Sequence, residues 1–228
     1  MCTRYCLTSP PEAVRAYFGY KNAAEFPPRY NIAPSQPVAI VRTSARGGRE
    51  FTLVRWGFVP GWIKDPREFK MLVSANSETA AGKPSFRAAM RHRRCLVPAD
   101  GFYEWTGRSG ARRPHLVRPR SRGPMALAAI YEDWLGADGS EIETMAILTT
   151  TANRVMAPIH GRMPVIIPPE HFDAWLDCSR GSSAGLEEFL RPAPDDLLEV
   201  IEVSSKLNDP RNEGPEVQEP AHGPMLLL

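Results

Sequence analysis

The chain has few cysteines and no long hydrophobic run. Only Cys2, Cys6, Cys95 and Cys178 occur among 228 residues, with no CxxC pair and no His/Cys spacing suited to a metal. A disulfide framework or zinc site is therefore not expected; free thiols in a reducing compartment are. No apolar stretch approaches the ~20 residues of a membrane span, and the tail Pro224–Leu228 is far too short. Arg4 is followed by polar residues and a proline pair rather than an apolar run, so no signal peptide is expected. Internal repeats, low-complexity tracts and linkers are also lacking, which argues a single domain over residues 1–228.

What is present describes an ordinary folded protein, with 43% hydrophobic and 24% charged residues. The net charge of +2 hides an uneven distribution. Residues 83–122 hold eleven Lys/Arg against Asp100 and Glu104, about +9, leaving about −7 for the remainder. The excess is almost wholly arginine, the side chain suited to bidentate phosphate contacts, although such runs often serve only solubility.

The 23 scattered prolines suit short strands and ordered loops better than a helical bundle. A short helix is expected over Pro10–Gly19, with proline at its start and glycine behind it. Strands are expected at Val38–Arg42, Phe51–Trp56, Met71–Ser74, Arg94–Val97, Gly101–Trp105, His115–Arg118, Ala126–Tyr131, Thr144–Thr150, Val165–Ile167 and Glu199–Val203. Helices are expected over 152–158, Pro169–Asp177 and Leu186–Leu190. The fold class is α+β: one domain with a curled, barrel-like, mainly antiparallel sheet and peripheral short helices.

Four segments could carry chemistry. Cys2 directly follows Met1, whose removal is expected before so small a residue. That would leave an α-amine titrating near ~7.7–8.0 beside a thiol near ~8.5. Such a 1,2-aminothiol attacks an aldehyde through nitrogen and closes through sulfur to a thiazolidine, or serves as an N-terminal thiol nucleophile. A chance cysteine is the competing account; Cys6, nearby, reads as core filler.

Glu104 lies in the aromatic strand Gly101–Trp105, sharing a face with Phe102 while Tyr103 and Trp105 point the other way. Apolar surroundings would raise its pKa as a general acid/base requires; a solvated strand-edge glutamate is the alternative. His160 sits on a loop stiffened by Pro158 and Gly161, with Arg162 two residues on, a place where catalytic groups are often held, although a lone loop histidine is usually incidental. Arg55-Trp56-Gly57-Phe58-Val59-Pro60-Gly61-Trp62 could form a stacking platform for unpaired bases, or core aromatics at a barrel corner.

Taken together the chain resembles the SOS response-associated peptidase (SRAP) family, which protects abasic sites in single-stranded DNA. The resemblance rests on MCTRY, PRYNIAPSQ (28–36), RWGFVPGW (55–62), KPSFRAAMRHRRCLVPADGFYEW (83–105), LTTTAN (148–153), APIHGRMPVIIPPE (157–170) and NDPRNEGP (208–215). It implies that Cys2 forms a thiazolidine with the ring-opened sugar, that Glu104 shuttles protons, and that His160 assists ring opening. The strand would be bound through Arg4, Arg55, Trp56, Trp62, Ser85, Arg87 and Arg162. A cytoplasmic location, on DNA when bound, a monomeric state and no cofactor or metal are the accompanying expectations.

The chain departs from the family where Asn-Ala-Arg is usual. Ser74 stands in the place of an asparagine that orients cysteine and substrate, and Asn76 in that of a phosphate-gripping arginine. Thr3 replaces a usual glycine. Retained chemistry with weaker or altered DNA affinity is the expectation. The rivals are an N-terminal cysteine hydrolase, either peptidase or glutamine amidotransferase, and a non-catalytic single-strand binder; limited peptidase action on Met1 and lyase-like chemistry could accompany crosslinking.

Overall fold

The computed structural model describes residues 3–221 apart from 109, 180 and 183, so Cys2 lies outside the described residues. In chain order the strands are β1 (Tyr5–Leu7), β2 (Arg29–Ile32), β3 (Pro37–Thr43), β4 (Arg49–Trp56), β5 (Ser74–Asn76), β6 (Arg94–Ala99), β7 (Gly101–Thr106), β8 (Arg113–Pro119), β9 (Met125–Leu135), β10 (Glu141–Thr151), β11 (Arg162–Pro164), β12 (Ile166–Ile167) and β13 (Leu198–Glu202). The α-helices are short: α1 (Pro11–Phe18), α2 (Ser77–Ala80), α3 (Arg87–His92) and α4 (Phe172–Leu176).

Five strands close into a barrel in the order β10-β4-β3-β6-β9, with β9 pairing back onto β10. The β4–β10 pairing is parallel and the other barrel pairings are antiparallel. Closure satisfies backbone groups that an open sheet would leave at its edges. It also explains why Met125–Ile130 of β9 reads as a continuous apolar run: every residue of it is buried. Beyond the barrel, β10 continues between β5 and β11, and that extension carries part of the site.

The second sheet, in the order β13-β8-β7-β1-β2, is antiparallel throughout. Its pleat divides two hydrophobic clusters. Tyr5, Leu7, Phe102 and Val117 join the main core, whereas Cys6, Tyr103 and Leu116 pack with Val203, Leu207 and Val217. Cys6 is fully enclosed, and burial pushes its thiol up to about 12, which makes it core filler rather than a second nucleophile.

Helix α1 begins at Pro11 and is closed by Gly19 in the left-handed conformation, φ 69°, whose N–H donates to the Arg15 carbonyl. The barrel strands and β13 lie where the sequence places them. Three expectations need correction. Residues 154–159 are successive turns rather than part of a helix over 152–158, and residues 187–190 are turns as well. The strand expected at Met71–Ser74 is displaced: β5 begins at Ser74, and Leu72 makes only an isolated bridge to Phe58. Next to that bridge Gly57 has a φ of 140°, a conformation L side chains rarely adopt, and a Cβ there would stand 2.6 Å from the Met71 sulfur.

Candidate active site

Glu104 occupies the middle of β7 and is only 4% exposed. Its strand is flanked by β1 and β8, and Gly101 permits the close approach of β8: a Cβ there would lie 2.7 Å from Leu116 Cδ1. Burial raises the Glu104 carboxyl above the ordinary glutamate range, and the influence of nearby His160 opposes that rise. The glutamate in water is thus set aside. Tyr103 N–H donates to the Arg4 carbonyl at 3.0 Å, so the chain preceding β1 runs back along β7 toward Glu104.

His160 ends the loop joining β10 to β11 and is half-buried. Its N–H donates to the Met156 carbonyl, and its Nδ1 accepts from the Arg162 N–H at 3.0 Å. Asn153 anchors the loop: Oδ1 accepts from Met156 N–H at 3.0 Å while Nδ2 donates to the Ala193 carbonyl at 3.0 Å. The histidine is therefore held by main-chain geometry, close enough to Glu104 to influence its carboxyl.

The extension of β10 gathers a polar group. Register pairs Ser74 with Ile147 and Asn76 with Thr149 on one side, and Arg162 with Thr151 on the other. Arg162 donates to both carboxylate oxygens of Glu78, at 3.0 and 2.8 Å, and to Thr149 Oγ1 at 3.2 Å. Thr149 Oγ1 in turn lies 3.4 Å from Asn76 Oδ1. Ser74 is half-buried and Asn76 exposed. Burial works to raise the Glu78 carboxyl, but Arg162 outweighs it and holds the group below its ordinary range.

The expected strand-binding residues divide. Trp56 is wholly buried, stands edge-on to Tyr5 with ring centroids 5.3 Å apart, and donates Nε1–H to the Val73 carbonyl at 2.9 Å. A ring with no open face cannot stack on a base, so the expectation for Trp56 is corrected to a core role. Trp62 is 63% exposed and touches Phe69 edge-on. Arg55 and Arg87 are exposed and Ser85 is half-buried. Arg4 donates to Asn31 Oδ1 at 2.6 Å and to the Leu207 carbonyl at 3.2 Å, which ties β1 to β2 and to the 205–208 turn. The arginine-rich segment is partly internal: Arg94 is 3% exposed and donates to main-chain carbonyls, while Arg93, Arg113 and Arg118 pair with Glu132, Glu202 and Glu199.

Sequence reasoning missed Glu78, Thr149 and Asn153. The first two occur inside the SANSET (74–79) and LTTTAN (148–153) segments, whose strands meet only through the parallel β5–β10 pairing, a contact no local pattern announces. Asn153 four residues before Ala157-Pro158 carried a usable signal, a side chain suited to turns.

The family model for SOS response associated peptidase (SRAP) matches residues 1–210. The chain is 35% identical to abasic site processing protein YoqW of Bacillus subtilis, over 96% of this chain and 99% of that one. It is 29% identical to abasic site processing protein HMCES of Rattus norvegicus, over 96% of this chain and 72% of the relative. A crystal structure of a Bacteroides thetaiotaomicron protein superposes with a TM-score of 0.86 at 25% identity, covering 97% of this chain and all of the other. With the family model spanning nearly its whole length, this chain belongs to the SOS response associated peptidase family.

Proposed function

We propose that the protein captures abasic sites in single-stranded DNA through a covalent bond to Cys2 and so shields the lesion. The observation that carries this reading is Glu104, a buried carboxyl with raised proton affinity, within the electrostatic reach of His160 and on the strand to which the N-terminal segment is hydrogen-bonded. Cys2 is two residues from Arg4, and two residues of chain reach at most about 7 Å. The relatives named for abasic-site processing support the substrate.

An abasic site is an aldehyde in equilibrium with a closed hemiacetal. His160 assists opening; the free α-amine of Cys2 adds to the aldehyde carbon; Glu104 protonates the departing hydroxyl, giving an imine and water. The thiol then adds to the imine carbon and closes the thiazolidine. Removal of Met1 is a prerequisite, since an acylated amine cannot form the imine, and is the one peptidase act this reading needs. The imine also opens a route to lyase-like strand cleavage. The working form is a monomer in the cytoplasm, on DNA.

Incubation with single-stranded DNA bearing one abasic site tests this. The expected product survives denaturation without reductant, and its mass equals Met1-free protein plus DNA less one water. Cys2→Ala should leave only a borohydride-trappable imine. An undiminished reductant-independent adduct in Cys2→Ala, or an active preparation that uniformly retains Met1, would refute the mechanism.

A further inference from the structure

A second histidine lies beside Glu104. Strand register sets His115 of β8 directly opposite Glu104 of β7, and Glu202 of β13 directly opposite His115. Directly opposed residues share a face of the sheet, with Cβ atoms about 4.5–5.5 Å apart. Glu104, His115 and Glu202 therefore form one transverse row across three strands. The row runs from closed to open: Glu104 is 4% exposed, His115 9%, and the Glu202 side chain 20%. At its open end Arg113 grips Glu202 with Nε 2.8 Å from Oε1 and a second contact through Nη2.

The His115 ring is buried and only partly engaged, with the main chain of Arg113 and Glu104 close enough to favour its proton. Its Nδ1 is buried and has no hydrogen-bond partner among the described residues, whereas a purely structural polar group in such a position is normally satisfied. Burial lowers its proton affinity, Glu202 and the main chain of Arg113 and Glu104 raise it, and the Arg113 charge lowers it. The 3-10 turn at Ser205–Asn208, also packed on β8, adds the exposed Lys206. Burial thus pushes Glu104 up and His115 down, bringing the two proton affinities closer together.

We propose that His115 is a positioning residue that exchanges protons with Glu104 and relays them along the row between Glu104 and solvent by way of Glu202. This rests on the reading that Glu104 is the acid/base of abasic-site capture. Glu104 must both take and give protons during capture, and a bound DNA strand would close off its approach from the substrate side. Once Glu104 has given its proton to the departing hydroxyl, an N–H bond of the His115 imidazolium breaks as the carboxyl O–H bond re-forms, directly or through one water. The neutral ring then regains a proton from solvent by way of the Glu202 carboxylate. Glu104 is again protonated, His115 again an imidazolium, and one proton has moved in.

The test is the single-turnover rate of adduct formation on abasic single-stranded DNA, at saturating protein, low buffer concentration and pH 5–9. His115→Gln keeps polarity and approximate size but cannot pass a proton through a ring. It should slow capture about tenfold at neutral pH, less than the ~10²–10⁴-fold of losing general acid/base catalysis outright, and added imidazole should restore the rate. Glu202→Gln should slow capture at low buffer and recover as buffer rises. His115→Phe, which keeps a planar ring, guards against a folding defect and should behave as His115→Gln does. A parental rate and pH profile in both His115 variants would overturn the proposal, as would a slow rate that neither imidazole nor buffer changes, since that marks a structural role. Glu104→Gln in the same assay separates the two readings: if it too captures at the parental rate, the role of Glu104 itself fails; if it alone is slow, only the relay does.

Discussion

Arg162 holds Glu78 through both terminal nitrogens, 3.0 and 2.8 Å from the two carboxylate oxygens. A carboxylate and a phosphate offer the same fork to a guanidinium, so Glu78 occupies the geometry that a DNA phosphate would take. The pair sits between β5 and β11, beside Asn76 and the loop of His160, and the Glu78 side chain is 44% exposed. At that exposure the pair adds little to stability, which leaves room for a phosphate to compete.

Glu78→Gln should therefore tighten binding to single-stranded DNA and steepen its salt dependence, by up to roughly 0.7 in the log–log slope for one freed contact. The pH dependence has a definite sign. The folded carboxyl lies below its ordinary value because Arg162 outweighs burial. Its contribution to stability is thus present above the unfolded value and lost as pH falls through the folded one. Thermal melts of the parent should lose that increment in acid, while Glu78→Gln should not. Unchanged DNA affinity and salt slope in Glu78→Gln would mean Arg162 does not meet the strand.

Glu104→Gln should slow adduct formation by roughly 10²–10⁴-fold and at the same time stabilise the fold at neutral pH. The folded carboxyl is raised by burial, so the folded state holds its proton where the unfolded state has released it. Stability from this group is complete below the unfolded value, about 4.3, and declines as pH rises through the folded value. The melting-temperature difference between Glu104→Gln and parent should therefore grow from pH 4 to pH 8. A constant difference would show that Glu104 is not strained by burial. His160→Ala should slow capture mainly at ring opening, so a substrate already held as the open aldehyde should escape most of the loss.

How much of this could be read from residues alone differs from segment to segment. Strand β7 was legible because Phe102 and Tyr103 alternate between two clusters, and that same alternation singled out Glu104. The turn at 154–159 was not. Val155, Met156 and Ile159 have helical spacing and the Asn153 side chain caps the start by accepting from the Met156 N–H, but Pro158 cannot continue a helix. Leu186, Phe189 and Leu190 likewise show a helical face over too few residues to nucleate one. The three-residue β1 has no local signature at all, since its strand character comes from β2 and β7 on either side.

The two tryptophans of the RWGFVPGW motif make that point measurable. Trp56 is buried against Tyr5, a contact set by β1, whereas Trp62 projects at 63% exposure. Trp56→Ala should cost about 3–5 kcal/mol of stability through the cavity it leaves. Trp62→Ala should shift stability by no more than about 0.5 kcal/mol, yet weaken single-strand binding by roughly 1–3 kcal/mol if a base stacks there. Chemical denaturation and fluorescence anisotropy on the same two proteins separate the roles; equal losses in both assays would erase the distinction.

Asn76 offers the sharpest test of the departure from the family pattern. It ends β5, is exposed, and lies across from Thr149, whose hydroxyl also receives Arg162. An arginine introduced here has two options. It can meet a phosphate directly, or pair with Glu78 and release Arg162 to do so. Each route adds one cationic contact, so Asn76→Arg should raise affinity and steepen the salt slope by roughly 0.7. The double variant with Glu78→Gln distinguishes them: additive slopes mean two independent phosphate contacts, and a slope no steeper than either single change means one shared contact. Ser74→Asn, half-buried and opposite Ile147, should act on the rate of adduct formation and leave the slope alone. If Asn76→Arg changes neither affinity nor slope, the strand does not pass over this end of β5, and the phosphate path must be sought instead along Arg55 and Arg87.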